Sequence, residues 1–310
     1  MILPLFDNGW VEFTQTKWGL DARRLVYGSP DSGAPFAETL VYTNAAGKLR
    51  MPPRTPYCPV NFRSTSTPSP QRIARQWLDA SQALAREMHD AGFAGAIALD
   101  PSVSDVRQWQ WLGYRAEVRY TYLFDLPHDL SIASAAVRKN YRKAERAGYT
   151  CERTDDFEAA LACLSETEAR QGFSHGLSAM DLARLQASMG TERCRAYLCR
   201  SSTGEPASFR IVLHARGACA VDWIAGTTTS HLRSGSTQLL IKSVLEDLEQ
   251  AGASGFDHAG ANIATVAASK SEWGGTLAPF YVLRANDLRS LAGQARSWAR
   301  STYGRLRGAE

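Results

Sequence analysis

The chain has 310 residues, 44% hydrophobic and 21% charged, a mix that excludes disordered, fibrous and collagen-like classes and gives room for two ordinary domains or one large one. Its net charge of +4 permits an anionic partner without demanding nucleic acid. No stretch approaches the roughly 18 uninterrupted apolar residues of a membrane span, and Met1-Ile2-Leu3-Pro4-Leu5-Phe6-Asp7 lacks the basic region of a signal peptide. Cys58, Cys151, Cys163, Cys194, Cys199 and Cys219 are scattered without a Cys-x-x-Cys pair. Buried free thiols in a reducing, cytoplasmic setting are expected, with neither a disulfide framework nor a metal site.

In chain order, the first stretch reads as strands and turns, with 21–27 and 38–42 extended. The proline run Met51-Pro52-Pro53-Arg54-Thr55-Pro56-Tyr57 forces an irregular loop. A helix follows over 71–90, carried by Ile73, Trp77, Leu84 and Met88 at helical spacing. A short strand at 96–100, a short helix to Gly113 and a strong strand at 118–126 complete the first half.

Arg138-Lys139-Asn140-Tyr141-Arg142-Lys143-Ala144-Glu145-Arg146 then reads as a helix ending before Gly148, with five cations against one carboxylate. Arg138, Arg142 and Arg146 fall at i, i+4 spacing on one face, and Tyr141 interleaves with them. Such a strip suits a phosphate or pyrophosphate group, and equally a solvated helix face. A helix over 155–171, strands at 195–199, 208–213 and 218–224, and a long helix over 236–250 follow. A last basic helix spans 287–307; its arginines suit an RNA or anionic membrane surface, and equally a solvated tail.

The order helix, Ala-Gly turn, short strand, short helix, Trp/Gly turn, strand occurs twice, about Ala91-Gly92 and about Ala251-Gly252. That pattern points to an internal duplication. The expected architecture is α/β in the α+β sense: two tandem units, each a mixed, mostly antiparallel sheet flanked by helices. Their expected bounds are 1–126 and 127–284, with a basic helix over 285–310.

Several elements together resemble the Fem-type aminoacyltransferases and the wider GNAT-like N-acyltransferase superfamily. They are Arg138-x-x-x-Arg142-Lys143-Ala144 before Gly148, Val221-Asp222-Trp223-Ile224-Ala225-Gly226, Ser234-Gly235-Ser236, Gly255-Phe256-Asp257-His258-Ala259-Gly260 and Lys270-Ser271-Glu272-Trp273-Gly274-Gly275. The resemblance implies two GNAT-like units with the reaction centre in a cleft involving the second. It implies that Arg138 and Arg142 contact the diphosphate of a nucleotide-linked acceptor, and that Lys270 lies near the reacting groups. Fem-type members often carry tyrosine where this chain has Arg142. The long helical hairpin of some members has no room here.

The chemistry fits direct attack of an amine on an activated ester or thioester, which requires a neutral amine, oxyanion stabilisation and alignment but no covalent nucleophile. Asp257 and His258 are candidates for a base, or for a pair fixing a loop. Lys270 is a candidate for stabilising developing charge. Asp222 suits orienting an amine, or a solvated strand end. Arg233, Gly235 and Ser236 form the turn where a pyrophosphate would meet backbone N–H groups, although the acetyl-CoA signature is only half present.

The expected activity is an amide-forming acyl or aminoacyl transfer to a small-molecule or nucleotide-linked amine, with acyl-CoA or aminoacyl-tRNA as co-substrate and no bound cofactor. An aminoacyl-tRNA-dependent ligase is the alternative, with tRNA as partner. A non-catalytic RNA or protein binding module is the alternative of another class. A monomer or homodimer is expected.

Overall fold

The computed structural model describes residues 3–93 and 95–285. In chain order the elements are α1 (Asn8–Trp18), β1 (Asp21–Tyr27), β2 (Phe36–Thr43), β3 (Val60–Arg63), α2 (Pro70–Ala91), β4 (Ala96–Ala98), α3 (Arg107–Trp111) and β5 (Arg115–Asp125). Next come α4 (Ala135–Arg146), β6 (Thr150–Arg153), α5 (Phe157–Gln171), α6 (Ala179–Met189), β7 (Cys194–Arg200), β8 (Pro206–Leu213) and β9 (Cys219–Thr227). Then follow α7 (Ser236–Gln250), β10 (Gly255–Asp257), α8 (Ala264–Ser271) and β11 (Thr276–Arg284). None of the helices among the described residues is long and apolar enough to cross a membrane.

The expected fold class is found: mixed, mostly antiparallel strands flanked by helices, in two compact units. One unit comprises 1–20, 52–59 and 119–279; the other comprises 21–51, 60–118 and 280–310. The strands form a three-stranded sheet, β1-β2-β3, and an eight-stranded sheet in the order β4-β11-β5-β10-β9-β8-β7-β6.

The duplicated element order is present as α2-β4-α3-β5 and α7-β10-α8-β11. Each short strand pairs with the last strand of the other repeat. β10 pairs antiparallel with β5, Phe256 opposite Phe124, and β4 pairs antiparallel with β11, Ile97 opposite Leu283.

The larger unit is built around α7. Its Leu239, Leu240, Val244, Leu245 and Leu248 follow helical periodicity and pack with Val137, Tyr141 and Ala144 of α4, Phe256, Phe124 and Trp273. Full burial of side chains this size stabilises by about 1.5–3 kcal/mol each. In the smaller unit α2 starts at a Ser69 cap and buries Leu84 and Met88.

Two helices depart from the sequence expectation. The first stretch is not all strand and turn, because 8–18 forms α1. Asp7 caps it, accepting from the Gly9 N–H at 2.8 Å, and Gly19 closes it at φ 61°. Its glycine, valine and threonines depress helix propensity, which hid it. The second is α6, within a stretch to which no element was assigned. It opens on a capping box in which Ser178 and Asp181 bond each other's backbone. The expected basic helix 287–307 lies outside the described residues.

Candidate active site

β10 runs parallel to β9 over only three residues, ending at Asp257 opposite Val221, while β9 continues to Thr227. The chain after β10 stays with β5 instead. His258 N donates to Tyr122 O at 3.0 Å, and Ala261 N donates to Tyr120 O at 2.7 Å. The two parallel strands therefore part after Val221. On its other edge β9 is irregular: Ile224 opposes Ile211 and Asp222 opposes Val212, leaving Trp223 as the extra residue of a bulge. A bulge bends the strand and re-aims the side chains beside it.

A buried polar cluster occupies the point of parting. Arg210 and Asp222 are each 6% exposed, His258 is 2% and Asp257 3%. Arg210 precedes Val212 by two residues and so shares its face of β8. Its Nη1 donates to Asp222 Oδ2, and His258 Nε2 lies 3.6 Å from that same oxygen. Lys270, in the last turn of α8, directs Nζ at the carbonyl oxygens of His258, Ala259 and Gly260, the last at 3.0 Å. All three protons of an ammonium are thereby engaged. Asp257 Oδ1 accepts from Thr121 Oγ1 and from Ala259 N at 2.8 Å, fixing Ala259 at φ 37°. Arg210 Nε, Asp222 Oδ1 and His258 Nδ1 are buried without a partner among the described residues.

Burial dominates the proton affinities here. It pulls the Lys270 ammonium down to about 8, against the opposing charges of Asp222 and Asp257 and with help from Arg210. It holds His258 neutral, well below the ordinary histidine value, and the Lys270 and Arg210 charges act in the same direction. It raises the Asp222 carboxyl, although Arg210 and Lys270 pull the other way. The cluster thus keeps an unprotonated imidazole beside an ammonium that gives up its proton at about 8.

The remaining sequence candidates lie at α4 and the start of α7. Ser134 caps α4, accepting from Val137 N at 3.2 Å. Val137, Tyr141 and Ala144 form the buried face of this helix. Tyr141 is only 7% exposed and packs into the core, with the Arg142 guanidinium over its ring at 5.8 Å. Arg138 Nη1 donates to Ser131 O at 2.6 Å and to Ala133 O, bracing the start of its own helix. Arg142 and Arg233 are exposed, and neither has an acidic partner among the described residues.

Gly235, at φ 91°, lets α4 approach closely, since a Cβ there would stand 2.1 Å from Asn140 O. Lys143 Nζ donates to Arg233 O at 2.7 Å, Ser234 Oγ accepts from Ser236 N at 3.0 Å, and Ser236 Oγ is buried without a protein partner. The turn is thus joined to the basic helix, whereas Asp222, Asp257 and His258 form the separate buried cluster, with the half-buried Lys270 at its edge. Sequence reasoning missed Arg210 and Thr121. An arginine inside Ser208-Phe209-Arg210-Ile211-Val212-Leu213 was a signal for the first, because a cation in an apolar strand needs a buried partner.

Residues 133–264 match the family model described as Acetyltransferase (GNAT) domain. That segment, 133–264, is similar to GNAT-type acyltransferase domains. It carries the parting strands, the basic helix and the turn before α7, while Lys270 lies just beyond it. The resemblance read from the sequence therefore stands, and acyl transfer in general is supported. None of the curated proteins matches the chain.

Among solved structures, FemX is similar at a TM-score of 0.60 and 16% identity, over 88% of this chain and 90% of that one. The C-terminal domain of a putative lysylphosphatidylglycerol synthetase from Agrobacterium fabrum has a TM-score of 0.55 at 13% identity, over 93% and 91%. L-PGS from Bacillus licheniformis has 0.52 at 14% identity, over 91% and 92%. At these identities the likeness is one of fold.

Proposed function

We propose that the protein forms an amide by transferring an acyl or aminoacyl group from an activated donor to an amine, with the parting of β9 and β10 as the reaction centre. The observation that carries this reading is the buried Arg210–Asp222–His258 cluster at that point, with the half-buried Lys270 beside it. Asp222 Oδ1 is free to accept from the incoming amine, and His258 Nδ1 is free to take its proton. The neutral amine attacks the donor carbonyl, and the tetrahedral oxyanion forms beside the positive charges of Arg210 and Lys270. Its collapse expels the donor's leaving group.

Lys270 acts chiefly by holding the 258–260 carbonyls and keeping His258 neutral. Asp257 acts by fixing that same turn. Arg142 and Arg233, with the N-terminus of α7, are assigned to phosphate groups of donor or acceptor. No cofactor is bound, and the acceptor is a small-molecule or nucleotide-linked amine.

Two donors suit this scheme. The acetyltransferase-domain match favours acyl-CoA. The fold shared with FemX and with lysylphosphatidylglycerol synthetase favours aminoacyl-tRNA, and so a Fem-type ligase. Calorimetry with CoA and acetyl-CoA beside filter binding of a charged-tRNA mixture separates them. Micromolar CoA binding selects acyl-CoA. Retention of charged tRNA with no response to CoA selects the ligase. An absence of product with every donor, with ligand binding indifferent to Lys270→Met, would overturn catalysis in favour of a binding module.

A further inference from the structure

β6 and β7 place two cysteines directly opposite one another, Cys151 against Cys199, between the pairs Thr150–Arg200 and Glu152–Leu198. Thr154 N donates to Ala196 O at 2.9 Å, one step beyond the end of that ladder in the same register. Hydrogen-bonded and non-hydrogen-bonded pairs alternate along antiparallel strands, so Cys151 and Cys199 occupy a non-hydrogen-bonded pair. Opposite Cα atoms there stand about 4.5 Å apart, inside the roughly 4.4–6.8 Å that a disulfide spans. Both are free thiols.

The two sulfurs differ in kind. Cys199 is fully buried, whereas Cys151 is half-buried with Ser243 and Lys242 of α7 beside it. The neighbouring Cys199 thiol, chiefly, with Ser243 and Lys242 and against burial and Glu145, lowers the proton affinity of Cys151, while that of Cys199 is raised. Cys151 is therefore the sulfur that a solvent oxidant reaches first, with the fully buried Cys199 directly across the ladder from it.

We propose that Cys151 and Cys199 form a peroxide-responsive modification site, with the half-buried Cys151 as the sulfur oxidised first and the fully buried Cys199 as the resolving thiol. The Cys151 thiolate attacks one oxygen of hydrogen peroxide, the O–O bond breaks, hydroxide leaves, and a sulfenic acid remains. The Cys199 sulfur then attacks the Cys151 sulfur. The S–S bond forms as the S–O bond breaks, and the hydroxyl leaves as water with the Cys199 proton. Two electrons pass from the two thiols to peroxide, and a dithiol reductant reverses the change. The resulting cross-link ties β6 to β7 a few residues beyond the basic helix α4. Cys199 also faces Ser208 of β8, two residues before Arg210, so the pair adjoins the face that carries the proposed reaction centre.

The test is peptide mapping of the full chain by mass spectrometry after graded hydrogen peroxide, without and then with dithiothreitol. The expected result is a linked peptide pair containing Cys151 and Cys199, 2 Da below the sum of its parts, forming before any other cysteine is oxidised and disappearing with reductant. Cys199→Ser should convert the product to a dimedone-trappable sulfenic acid on Cys151, and Cys151→Ser should leave Cys199 a free thiol at the same dose. Oxidation of other cysteines with these two still reduced would overturn the proposal, as would over-oxidation of Cys151 with no linked pair. If a variant fails to fold, the wild-type map alone decides.

Discussion

The basic helix with its turn and the cluster at the parting strands are both polar, yet they are built in opposite ways. The first is dense in sequence and exposed, so each charge there is solvated and individually worth little. The second is assembled from residues far apart in sequence and closed from water, where each charge acts at full strength on its neighbours. Substitution should therefore cost stability and chemistry at the cluster, but only ligand affinity at the helix.

The largest effect is expected at Asp222. Asp222→Ala leaves the Arg210 guanidinium buried and unpaired, which should cost about 3–5 kcal/mol in urea melts. A loss below about 1 kcal/mol would mean that Arg210 reaches solvent and that the cluster is not closed. Lys270→Met keeps the bulk and removes the carbonyl-bound cation. On the proposed mechanism kcat/KM should fall on the order of 10²-fold; unchanged turnover would remove the lysine from the mechanism. Gly235→Ala combines a positive φ with a clash against Asn140 O, and a loss of about 1–3 kcal/mol is expected. A neutral result there would mean that α4 moves freely away from α7.

The pH dependence of stability sharpens the same contrast. The Lys270 proton affinity is depressed from 10.5 to about 8, so between these values the unfolded chain binds more protons than the folded one. Its contribution to stability therefore rises across that interval and should vanish in Lys270→Met. His258, depressed below 6.5, makes folding progressively less favourable as pH falls under 6.5 towards its folded value. His258→Gln should flatten the acid limb of the stability profile.

How much was legible follows from the same physics. Local pattern found α2, α4, α7 and the repeated element order because their apolar spacing and glycine stops are continuous in sequence. It named Asp222, Asp257, His258 and Lys270 through the family resemblance, but not how they meet, since the exchange of β10 and β4 between repeats leaves no local trace. It put Tyr141 with the arginines because helical interleaving does not say which face is buried. Val137 and Ala144, at i−4 and i+3 from Tyr141, were the signal that it belongs inward. Charge density made α4 conspicuous, while Arg210, a lone cation in an apolar strand, passed unnoticed although it holds the more consequential contact.

The smallest effect should be at Arg142. Exposed and free of acidic partners among the described residues, it should cost less than about 0.5 kcal/mol of stability when replaced by alanine. If it meets a phosphate, affinity for the phosphate-bearing substrate should nonetheless fall about tenfold, the ~1.4 kcal/mol of one modest charge-assisted contact. Arg138→Ala is the less clean probe, because its guanidinium also braces the Ser131 and Ala133 carbonyls and the change mixes helix stability with binding. Titrations of Arg142→Ala at low and high salt complete the test. The wild-type advantage should shrink as salt rises, because an exposed contact is screened. An advantage independent of salt would place Arg142 in a closed site of the kind seen at Asp222.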